Sequence, residues 1–131
     1  MARIRNLKPE FWTDGNIVRL SFAARLFYQG CWNFALCDRG HLPDDPTELK
    51  LRILPADELD AVELVEELLK MERLVRESTP DGRSFLRIVH LPDHNKADPR
   101  WSPRCPYCAA TATPGEPHRG TQKLTETPGS L

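Results

Sequence analysis

The 131-residue chain has no apolar run near the roughly 18–20 residues that cross a bilayer. Its opening stretch, MARIRNLKPE, also has no apolar segment of the signal-peptide kind. These two absences predict a soluble chain in the cytoplasm, with its four cysteines as free thiols or ligands. A glycine-rich phosphate loop is missing. No Ser/His/Asp or Cys/His arrangement has a catalytic setting, and neither does any carboxylate pair, so no enzyme and no cofactor are expected. Net charge is also lacking: it is −1, and nothing global points to nucleic acid, membrane or acidic ligand.

The charge that is present is sorted along the chain. Residues 1–30 carry Arg3, Arg5, Lys8, Arg19 and Arg25 against Glu10 and Asp14. Residues 55–77 carry eight carboxylates against Lys70, Arg73 and Arg76. Proline is sorted too. Seven of its twelve occurrences fall in the last forty residues, where apolar periodicity vanishes. That change predicts a domain over 1–98 and a Pro-rich, disordered tail over 99–131.

Ser21 to Cys37, SFAARLFYQGCWNFALC, has a wide apolar arc. Only Arg25, Gln29 and Asn33 form a polar strip. This predicts a central helix covered on several sides, capped by Ser21 and stopped at Asp38-Arg39-Gly40. Phe11 and Trp12 are expected to bury against it.

His41-Leu42-Pro43 fits one small strand. Asp45-Pro46-Thr47-Glu48 is a dense helix-start signal, so a helix should run to Leu54 before Pro55. Asp60-Ala61-Val62-Glu63 repeats the signature for an amphipathic helix to about Arg73. Strands over Leu74–Ser78 and Phe85–Leu91 should flank the turn Thr79-Pro80-Asp81-Gly82. Both faces of the second strand carry apolar groups, which leaves open which one packs down. The predicted fold is α+β and mostly helical. Helix, strand, helix, helix and hairpin in that order read as a winged helix-turn-helix with the hairpin as wing.

Arg3-Ile4-Arg5 with Lys8-Pro9-Glu10-Phe11-Trp12, then Trp32-Asn33-Phe34-Ala35, then Leu54-Pro55-Ala56-Asp57 resemble a family of actinobacterial phage and prophage proteins. Its members are described as helix-turn-helix or replication initiation proteins, similar to the N-terminal domain of phage replisome organisers. The resemblance covers roughly residues 1–98. It implies a winged helix that binds DNA in replication initiation. Transcriptional control is the alternative, as is docking of a protein partner on the acidic helix. Replisome proteins or a second copy of the chain are the partners it allows besides DNA.

The presumed groove-reading helix exposes Glu63, Glu66 and Glu67, and carboxylates near phosphates oppose binding. DNA contacts are therefore expected from other cations. These are Arg3, Arg5 and Lys8 in the arm, Lys50 and Arg52 on the preceding helix, and Lys70 and Arg73 at the end of the acidic one. Arg76, Arg83 and Arg87 around the wing and Lys96 beyond it complete the set, with Arg100 and Arg104 extending it.

Cys105-Pro106-Tyr107-Cys108 has redox-pair spacing but no βαβ setting. It also has the spacing of half a zinc knuckle. His118, His94 and His90 are candidates to complete it, and Cys31 or Cys37 if the tail folds back. Cys31 and Cys37 are placed in the core, and His41 is read as a packing or surface residue. The expectation is a half-site with no metal.

Overall fold

The Ser21 hydroxyl accepts from the Ala24 amide and starts the central helix, as a side-chain cap should. The structure is a computed structural model and describes residues 3–98, 100–101 and 104–111. Two short helical turns lead in, a 3-10 turn over Pro9–Thr13 and α1 over Gly15–Val18. The central helix α2 covers Phe22–Phe34. Strand β1, His41–Pro43, and helices α3, Pro46–Ile53, and α4, Ala61–Lys70, follow. Asp45 and Asp60 cap these two helices by accepting from amides of their first turns. The hairpin of β2, Leu74–Ser78, and β3, Ser84–Ile88, then closes a three-stranded antiparallel sheet of order β1-β3-β2. Short helices α5, Leu91–His94, and α6, Pro106–Thr111, complete an α+β fold.

The wide apolar arc of α2 is explained by what surrounds it. Ala24, Phe27, Tyr28, Cys31 and Trp32 are buried in one cluster with Leu49 of α3, Leu64, Val65 and Leu68 of α4, and Leu42, Leu86 and Ile88 of the sheet. Gly30 lets α3 come close, because a Cβ there would lie 2.3 Å from Ile53 Cγ2. Glu67 reaches from α4 to accept from both the amide and the hydroxyl of Ser21. One of the three carboxylates expected on a free face thus fastens α4 to the start of α2.

Several expectations are corrected. The central helix ends at Phe34 rather than Cys37, because Ala35 turns extended and the Leu36 amide donates to the His41 carbonyl. Trp12 is 55% exposed, and only Phe11 enters the core, where it stacks on Tyr28. The last strand stops at Ile88, and Leu91–His94 turns helical with Pro92 in its first turn. The segment expected to be tail contributes α6 over Pro106–Thr111, while 112–131 lie outside the described residues.

The N-terminal arm is built in rather than free. Asn6 and Asn95 exchange reciprocal amide hydrogen bonds, and the Arg3 amide donates to the Asn33 carbonyl. The Lys8 amide donates to His94 Nδ1, which fixes that nitrogen as an acceptor. His94 also packs on Trp32 at a centroid distance of 4.8 Å. Burial lowers the His94 pKa below its ordinary 6.5, and the Lys8 charge adds to this while Asp93 and Glu10 oppose it. Since the folded value is the lower one, the stability from neutral His94 is present above the unfolded value and lost as pH falls through the folded one. An NMR titration should give His94 a midpoint below 6.5. Protection of the Lys8 amide, taken relative to its intrinsic exchange rate, should fall over the same range.

Candidate nucleic-acid interface and a cysteine–histidine cluster

Most of the cations expected to meet DNA are already engaged within the chain. The Arg5 side chain is 3% exposed and donates to Asp38 and to the carbonyls of Trp32 and Cys37. Arg73 is buried and donates to the Met71 carbonyl. Neither guanidinium can reach a phosphate, so both are removed from the expected interface. Arg3 pairs with Asp98 and lies over the Trp101 ring at 4.2 Å. Lys50 donates to the Leu54 carbonyl. Arg87 pairs with Glu77 across the hairpin.

Arg76 is held by Asp44, whose side chain is half-buried, whereas Arg52 with Glu48 and Arg83 with Asp81 form more exposed pairs. Exposed pairs of this kind are worth only about 0–1 kcal/mol, so a phosphate can displace the carboxylate. Arg76 and the Ser84 hydroxyl hold the Asp44 carboxyl below its ordinary pKa. Lys8, Lys70, Lys96 and Arg104 are exposed. Arg100 is 90% exposed and touches Asp98. The Asn6–Asn95, Lys8–His94 and Arg3–Asp98–Arg100 links bring the segments that carry Lys8, Lys96 and Arg100 together. The outward face of α4 instead exposes Val62, Glu63 and Glu66.

The second assembly was not legible as a unit in the sequence. Cys37, His41, Cys105 and Cys108 put their ligand atoms within 4.8 Å of one another. Cys37 and His41 bracket the turn between α2 and β1. The Gly40 amide donates to the Cys37 carbonyl, the Leu36 amide to the His41 carbonyl and the Ile88 amide to the Gly40 carbonyl. Gly40 has φ +89, and a Cβ there would sit 2.9 Å from the Ile88 carbonyl oxygen, so the turn admits no side chain at this position. Cys105 and Cys108 come from the start of α6, which lies against the outer face of the sheet. There Tyr107 stacks on Phe85 at 4.8 Å, and Phe85 meets the His41 ring edge-on at 5.0 Å. This settles the two apolar faces of β3. Leu86 and Ile88 join the main core, and Phe85 faces α6.

The cluster is electrostatically tense. Burial opposes a Cys37 thiolate, but hydrogen bonds from Cys105, Cys108 and His41 hold its pKa well below the ordinary thiol value. Burial likewise opposes charge on His41, yet Cys105 and Cys37 lift it to about 9. Cys105 and Cys37 beside it, together with burial, push Cys108 far above the ordinary range. One negative charge is accepted and a further one resisted.

The expected half-site is therefore corrected to four donors in one place. Of the candidates among the described residues, only Cys37 takes part. Cys31 is fully buried in the α2 core, His90 pairs with Asp93, His94 packs on Trp32, and His118 lies outside the described residues. The sequence signal that was available is Cys37-x3-His41, hidden by running the helix through Cys37. The CPYC turn does open a short helix, but its thiols face Cys37 and His41.

None of the family models, curated proteins or solved structures compared with the chain gives a match.

The Gly40→Ala substitution combines a strained backbone with a clash against β3. It should cost roughly 1–3 kcal/mol of stability. The urea midpoint of the variant against that of the parent chain measures it.

Proposed function

We propose that the chain is a DNA-binding winged-helix protein of phage or prophage origin, acting in replication initiation. The observation that supports this most is topological. The elements run α2-β1-α3-α4-β2-β3, and the sheet is ordered β1-β3-β2. In this reading α3 and α4 are the helix-turn-helix pair and the β2–β3 hairpin is the wing. The phage and replication part rests on the resemblance of residues 1–98.

Charge directs where the duplex lies. The acidic face of α4 is unsuited to enter a groove deeply. The phosphate contacts are assigned to Lys8, Lys96 and Arg100, with Arg83 on the wing and Lys70 at the end of α4 in support. Contacts of this type position a protein on the backbone and carry modest sequence preference.

The measurement is fluorescence anisotropy with duplex DNA across a salt series. Binding is expected at about 50 mM salt and should weaken steeply as salt rises. Replacing Lys8, Lys96 and Arg100 together by Gln should reduce the slope of log K against log salt by roughly 2–3. No binding at low salt overturns the reading.

A second reading, docking of a basic protein partner, is favoured by the exposed Val62, Glu63 and Glu66 on α4. Charge reversal at Glu63 and Glu66 separates the two. It should strengthen duplex binding under the first reading and abolish partner capture under the second.

A further inference from the structure

The donors of the cluster are arranged around a point that none of them occupies, and we infer that Cys37, His41, Cys105 and Cys108 together bind one Zn2+ ion. Bonds of about 2.3 Å to sulfur and 2.0 Å to nitrogen at tetrahedral angles would set each sulfur about 3.5 Å from the nitrogen. The separations of His41 Nδ1 from Cys37, Cys105 and Cys108 Sγ are 3.2, 3.5 and 3.4 Å. Hydrogen bonding alone does not account for this convergence. An imidazole nitrogen carries one proton or one lone pair, so it serves one thiol well and not three.

The donor set selects the ion. Three sulfurs and one imidazole with no oxygen disfavour magnesium and calcium and suit Zn2+. Four protein ligands also fill a tetrahedral shell. With no position left open for water or substrate, the site is structural. The outer surroundings support it. Arg5 donates to the Cys37 carbonyl and steadies the ligand turn, while Phe85 and Tyr107 wall off the imidazole. The ion pins α6 to β1. This assignment is independent of the DNA reading.

The test uses the full chain, reduced and supplied with Zn2+ or Co2+ alone. Native mass spectrometry should find one Zn2+ per chain, removable by chelator. Co2+ should give the visible bands and sulfur-to-cobalt charge transfer of a tetrahedral thiolate site. The Cys105→Ser/Cys108→Ser variant should bind Zn2+ more than about 100-fold more weakly, beyond what losing an outer partner costs. Neither of these cysteines belongs to the α2-centred core, so its far-UV circular dichroism should stay close to the parent's. His41→Asn offers a second variant with one ligand lost. A reduced chain that takes up neither ion, or a double variant that binds as tightly as the parent, overturns the inference. Duplex binding enters none of these readouts, so the two proposals fail separately.

Discussion

The buried Arg5 guanidinium ties the N-terminal arm to the turn that follows α2. It reaches from the N-terminal arm to the end of α2 through the Trp32 carbonyl, and to the ligand turn through Asp38 and the Cys37 carbonyl. Asp38 in turn accepts the Asp98 amide, and Asp98 pairs with Arg3. Trp101 lies beneath both arginines. A buried cation is costly unless its donors are satisfied, so these four stretches of chain must assemble together. The arm whose cations were expected to meet DNA is thus part of the framework.

This constraint reshapes the electrostatics of the surface. Removing Arg5 and Arg73 from solvent and pairing Arg3, Arg76 and Arg87 leaves fewer cations for a polyanion than the composition suggests. The exposed ones are spread over the fold, from Lys8 in the arm through Arg19, Arg39 and Lys70 to Lys96 and Arg100 after the hairpin. The face of α4 keeps its acidity, even though Glu67 is diverted to the α2 cap.

Local signals in the sequence were reliable where capping chemistry speaks. Asp45, Asp60 and Ser21 start their helices as expected, and His41–Pro43 and Leu74–Ser78 are strands as read. Helix ends were less legible. Ala35 continues the apolar arc of the wheel, but tertiary pairing of Leu36 with His41 ends the helix before it. That error displaced Cys37 from the loop into the core and hid its partnership with His41. The two apolar faces of β3 were legible but ambiguous, because α6 lies in a stretch whose prolines read as tail. Nothing local in Cys105-Pro106-Tyr107-Cys108 states which distant residues it meets.

Closing a ring through the ligands has a consequence for the unfolded chain. His41 and Cys105 are 64 residues apart, and the loop between them holds α3, α4 and the whole hairpin. With Zn2+ in place that loop is tied at its base as a disulfide would tie it. By the chain-entropy relation for cross-links, closing a loop of this length removes roughly 4 kcal/mol worth of freedom from the denatured ensemble. Unlike a disulfide, the tie survives in a reducing compartment and is undone by a chelator. The segment that looked like the end of the domain is the knot that holds its middle closed.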